Sequence, residues 1–109
     1  MSLKYIEEKE FKEKISQTRY ASVTFTADWC APCGVMKPNV DQLEEEFREN
    51  KAIDFFVVDI DKNQTLAQEM EISSIPTTIL FKDGQIATLQ RGVVAKKHLM
   101  EQFHQLGFE

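Results

Sequence analysis

Hydrophobic and polar positions change their period several times along the chain, and each change marks an element. The opening SLKYI reads as a short first strand. In EEKEFKEKISQ, Phe11 and Ile15 lie four apart among charges, the spacing of an amphipathic helix. YASVTFTA sets Val23, Phe25 and Ala27 against Ser22, Thr24 and Thr26, a period-two strand rich in β-branched residues. Met36, Val40, Leu43 and Phe47 then step by four, three and four along one face of a helix. The pattern carries that helix to about Asn50, and Pro38 predicts a kink near its first turns.

IDFFVVDI is a continuous apolar run, as expected of a strand covered on both faces of a sheet. Leu66, Ala67 and Met70 mark a shorter helix. TTILF, the dipeptide Asp83-Gly84 and QIATLQ read together as a β-hairpin, and Leu99, Phe103 and Leu106 line a last amphipathic helix. The order is β-α-β-α-β-α-β-β-α. Alternation at the start implies right-handed parallel crossovers, and the hairpin adds antiparallel strands. An α/β fold follows, with a central mixed five-stranded sheet flanked by four helices.

Length and composition narrow the class. A chain of 109 residues fits one domain, spanning 1–109, and can bury a core without a metal or disulfide staple. A net charge of −5 with no basic block argues against nucleic acid or an anionic membrane as partner. The start, MSLKYIEEKE, is charged within four residues and lacks the apolar core of a signal peptide, and no run approaches the ~18 apolar residues of a membrane span. The expectation is a monomeric cytoplasmic protein, in a compartment that keeps thiols reduced.

The chemistry concentrates in WCAPCG, which holds the single tryptophan, Trp29, and both cysteines, Cys30 and Cys33. A purely structural disulfide across so small a loop would stabilise by only about 2 kcal/mol. A zinc site needs four ligands, and the remaining soft candidates, His98 and His104, stand about 240° apart around a predicted helix. They are read as surface of that helix, with no metal. A redox role has a mechanism. With a strand ending near Ala27 and a helix starting near Ala31, Cys30 sits at a helix N-terminus, where unpaired N–H groups favour a negative sulfur. In Cys-x-x-Cys motifs such placement lowers a thiol pKa from about 8.5 to roughly 3.5–7.5. Pro32 falls in the first helical turn, where its missing N–H costs nothing. One thiolate can attack a disulfide, and the second can resolve the mixed disulfide.

These residues carry a resemblance. VTFTADWCAPC is similar to the active-site strand and turn of the thioredoxin family, and Pro38, VVDIDKN, Ile75-Pro76-Thr77, ILFKDG and Gly92 fall at family positions with family spacing. The resemblance covers essentially the whole chain. It implies a thiol–disulfide oxidoreductase acting as a protein-disulfide reductase, with Cys30 as nucleophile, Cys33 as resolving thiol and a Cys30–Cys33 disulfide as the oxidised state. It further implies a cis peptide before Pro76 and a docking surface made by Trp29, Pro32, Ile75, Pro76, Gly92 and Val93 around an exposed Cys30. Protein disulfides would be the substrates, a flavoprotein thioredoxin reductase drawing on NADPH would recharge the pair, and no tightly bound cofactor is needed. Two rival readings remain: a same-fold oxidant or isomerase, and a non-catalytic binding subunit.

Departures from the family pattern bear on the chemistry. Thr24 stands where most thioredoxins have a buried aspartate beneath the second cysteine, and Val57 where a lysine accompanies it. A threonine hydroxyl is no base near neutral pH. Ala31 replaces the usual glycine between the cysteines, Gly34 stands where a lysine or arginine is common, and Thr26 where an aromatic residue often does. Thr24, Ala31 and Val57 are therefore expected to modulate the reaction.

Overall fold

Strands Lys4–Tyr5 (β1), Tyr20–Thr26 (β2), Ile53–Asp59 (β3), Thr77–Lys82 (β4) and Gln85–Arg91 (β5) form one mixed sheet in the order β1-β3-β2-β4-β5. The structure is a computed structural model and describes residues 3–49 and 52–107. β1 and β2 run parallel to β3, while β4 is antiparallel to β2 and to β5. Helices Phe11–Ser16 (α1), Ala31–Glu46 (α2), Gln64–Glu69 (α3) and Lys96–Gln105 (α4) complete the expected order. Among the described residues, no helix is long and apolar enough to cross a membrane.

Two apolar clusters cover the two faces of the sheet. On one, Phe11 and Ile15 of α1 and Leu66 of α3 pack on Val23, Phe25, Phe56, Val58, Ile79 and Phe81. On the other, Met36, Val40 and Leu43 of α2 meet Leu99 and Phe103 of α4 over Tyr20, Ile53, Phe55 and Leu80. β2 lies at the centre and is covered on both sides. Its polar alternate set therefore does not face water: Ser22 and Thr24 are 2% and 6% exposed. Small hydroxyls fit beneath α2, and Thr24 is satisfied there by a hydrogen bond to Thr78 across the sheet, Oγ1 to Oγ1 at 3.2 Å.

Two elements depart from the periodicity. The first predicted helix is a 3-10 turn, Glu8–Glu10, followed by the short α1. Its start is tied elsewhere: Glu8 N–H donates to Asn63 Oδ1 at 2.7 Å, and Leu66 N–H donates to Glu8 Oε1 at 2.9 Å. α2 runs through Pro38 but stops at Glu46, with Phe47 as its C-cap; Asn50 lies outside the described residues. The Asp83-Gly84 turn has positive φ at both positions, 53° and 80°, the conformation a tight two-residue hairpin requires.

The central strand sets the stability. Phe25→Ala, at a fully buried site, is expected to cost about 3–5 kcal/mol in denaturant unfolding. Ile86→Ala, at 55% exposure on the edge strand, should stay within about 0.5 kcal/mol. Equal losses at the two sites would contradict the assignment of the core.

Candidate active site

The covered central strand β2 must leave the sheet before α2 can begin, and residues 27–30 make that junction. Cys30 N–H donates to Ala27 O at 3.2 Å, which tightens the turn. Cys30 itself is the N-cap of α2, extended at φ −93° and ψ 109°, and its Sγ accepts the N–H of Cys33 at 3.2 Å. The sulfur thus fills the place usually taken by a serine or aspartate oxygen. Ala31 and Pro32 occupy the first two helical positions, both exposed, where no N–H has an intrahelical partner to lose. Cys33 follows at the third, and its Cα lies 5.3 Å from that of Cys30, within disulfide range. The two cysteines are joined as a disulfide.

Cys30 is not the exposed sulfur that the sequence led one to expect. It is 8% exposed and Cys33 5%, and both pack with Ala27 against Ile60 and Ile75. Ile60 and Ile75 cover the sulfur, so the residues around it carry the accessible surface. Cys30 Sγ lies 3.8 Å from the carbonyl oxygen of Ile75. The Ile75–Pro76 bond is cis, as the resemblance implied. Pro76 is buried, so its contribution here is backbone: its carbonyl accepts the N–H of Gly92 at 2.7 Å, which brings the Gly92-Val93 turn to the same edge. Gly92 has φ 85°, a conformation that L side chains rarely adopt. Trp29 and Val93 are 68% and 45% exposed. Of the six residues expected around Cys30, Pro32 lies in the first turn of α2 and the other five lie in these loops, with Ile75 half-buried and Pro76 beneath the surface.

Two contributors escaped the sequence reading. Asp61 Oδ2 accepts the indole N–H of Trp29 at 2.8 Å, and Asp61 is set by its own N–H bond to Asp59 Oδ1 at 2.9 Å. Val35 is 60% exposed and lies three residues after Pro32, on the same side of the helix. Helical spacing from Pro32 could have found Val35. Nothing local could have found Asp61, which depends on how the loop after β3 meets β2.

Beneath Cys33, the strand residues of the floor are uncharged. Thr24 and Val57 are register partners on β2 and β3, and with Cys33, Tyr5 and Lys37 they line a small cavity of about 20 Å³. No carboxylate lines it. His98 and His104 are both exposed on α4, away from this junction, as their spacing suggested.

Known proteins resemble the chain along most of its length. The thioredoxin family model matches residues 2–105. The chain is 36% identical over 100 residues to the thioredoxin of Mycoplasmoides gallisepticum, covering 91% of this chain and 97% of that one. It is 35% identical over 101 residues to the thioredoxin of Staphylococcus aureus, covering 93% and 94%. Among solved structures, oxidised mitochondrial thioredoxin 3 of Saccharomyces cerevisiae superposes with a TM-score of 0.83 at 27% identity, over 94% of each chain. With the Cys-x-x-C junction at the head of α2 and a match along nearly its whole length, the chain belongs to the thioredoxin family, thiol–disulfide oxidoreductases whose redox pair is here Cys30–Cys33.

Proposed function

We propose that the chain works as a single-domain, monomeric protein-disulfide reductase in which Cys30 attacks and Cys33 resolves. The observation that carries the assignment of roles is the asymmetry of the two sulfurs. Cys30 Sγ has an N–H donor at the helix N-terminus and sits at the edge formed by Trp29, Ile75 and Val93. Those features favour a negative sulfur that an incoming disulfide can meet. Cys33 faces the cavity floor instead.

In the reaction, the Cys30 thiolate attacks one sulfur of the substrate disulfide, and the other leaves as a thiolate. Cys33 then attacks the Cys30 sulfur, breaking the intermolecular bond and releasing the second substrate thiol. Two electrons pass to the substrate, and Cys30–Cys33 ends as a disulfide. A substrate segment docks along Trp29, Pro32, Ile75, Pro76, Gly92 and Val93, with the Ile75 backbone beside the reacting sulfur. Two electrons must return to the pair for each turnover. A flavoprotein thioredoxin reductase drawing on NADPH is the partner that family membership suggests. The cytoplasm suits the cycle, since its thiol pool is held reduced.

The proton on Cys33 must leave without a buried carboxylate. Thr24 cannot take it, and its hydroxyl is already bonded to Thr78. The departing substrate thiolate, or a water in the cavity, serves instead; about 20 Å³ is room for roughly one. Thr24, Val57 and Ala31 modulate the rate by leaving this floor without a carboxylate and the helix start firm.

Three outcomes test the proposal. Cys33→Ser should accumulate a mixed disulfide with a protein substrate, resolved on a non-reducing gel, while Cys30→Ser should trap none; the reverse pattern would exchange the roles. Thr24→Asp should speed resolution several-fold at pH 7 in single-turnover kinetics, while lowering stability by about 1–3 kcal/mol for a polar group buried opposite Val57. An unchanged or slower rate would show that a carboxylate is not what resolution lacks. Equilibration in thiol/disulfide buffers, followed by Trp29 fluorescence, should place the reduction potential below about −220 mV; a value several tens of millivolts higher would point to an oxidant or isomerase.

A further inference from the structure

The Gly92-Val93 turn is held from a side that the proposed reaction does not use. Gly92 N–H is taken by Pro76 O at 2.7 Å. On the far side of Val93, both backbone groups of Val94 are taken by α2. Its N–H donates to Met36 Sδ at 3.3 Å, and its carbonyl accepts from Asn39 Nδ2 at 3.0 Å. Val94 is 8% exposed and Met36 is fully buried, so this anchorage lies within the packed layer beneath the turn. Val93 is left between two pinned neighbours and is itself 45% exposed.

Cys33 and Met36, and again Met36 and Asn39, are three apart, so each pair is adjacent on the surface of α2. The helix that carries the resolving cysteine is thus also the element that holds the turn. Asn39 supplies the stronger of the two links: an amide N–H to a carbonyl at 3.0 Å, against an N–H to a thioether, which is a weak acceptor.

We propose that Asn39 is a positioning residue for protein substrates, fixing the Gly92-Val93 turn relative to the Cys30–Cys33 pair. The inference rests on the docking role given to that turn above. A protein disulfide must meet the turn and the sulfur together, so its binding depends on their relative placement. A small disulfide needs only the sulfur. Asn39 therefore acts on recognition and not on the thiol chemistry.

The test uses Asn39→Asp, which replaces the donor by an oxygen facing the Val94 carbonyl, and Asn39→Leu, which removes the donor at similar size. Each is reduced, desalted and mixed in single-turnover experiments with insulin and with the small aromatic disulfide DTNB; Val93→Asp is run alongside with insulin. For both Asn39 variants the half-saturating insulin concentration should rise about five-fold or more. Their limiting rate with insulin, their DTNB rate and the reduction potential of the pair should stay within two-fold or unshifted, which also reports that they fold. If the DTNB rate or the potential moves in step with insulin, Asn39 acts on the cysteines and the proposal is overturned. If Val93→Asp weakens insulin binding while both Asn39 variants bind normally, the docking turn stands and the role of Asn39 falls. If none of the three weakens it, the docking reading itself fails and takes the inference with it.

Discussion

The first N–H groups of a helix have no partner within it, and in this chain one of them is satisfied by sulfur. The bond from Cys33 N–H to Cys30 Sγ closes the first turn of α2 at 3.2 Å and makes the N-cap and the reactive atom one and the same. Much else depends on it. Cys30 is held in extended backbone, Cys33 is placed on the next turn within disulfide reach, and Pro32 stands between them where it costs no hydrogen bond. The same donor that completes the helix stabilises negative charge when the pair is reduced. Structure and chemistry share one contact, so a change of capping residue alters both.

That junction is rigid because of what lies on either side. β2 is the central strand, buried on both faces between two apolar clusters, and α2 reaches from the cysteines into one of them through Met36, Val40 and Leu43. Beneath the pair, the polar group on β2 is neutral and satisfied. Where family resemblance leads one to expect an aspartate and a lysine, the chain has Thr24 bonded to Thr78 and beside Val57. An ion pair in so covered a place costs more to desolvate than it readily returns, and the neutral version avoids that penalty. It also leaves no carboxylate base at that position.

The surface around the sulfur is assembled from three separate loops, and each is fastened to something other than its chain neighbours. Trp29 is tied to Asp61, Gly92 to Pro76, and Val94 to Met36 and Asn39. Few of these bonds are strong alone. Together they fix side chains that are themselves exposed, which is how a shallow site keeps its shape without being buried.

By itself the sequence determined the order of elements, the mixed sheet and the position of both cysteines at a helix start. Each of these follows from local physics: period, turn chemistry and the unpaired N–H groups of a first turn. The spacing of Met36, Val40 and Leu43 named the face of α2 that is buried, and Asp83-Gly84 named the hairpin. Only the tertiary structure decided what the polar alternates of β2 face, that Cys30 is covered, and where α2 stops. It also chose the partners: Thr78 for Thr24, 54 residues away, Asp61 for Trp29, 32 away, and Val94 for Asn39, 55 away. Periodicity tells which side of an element meets apolar surroundings. It is silent on which hydrogen-bonding group arrives opposite, because strand order and register, not chain distance, bring such pairs together.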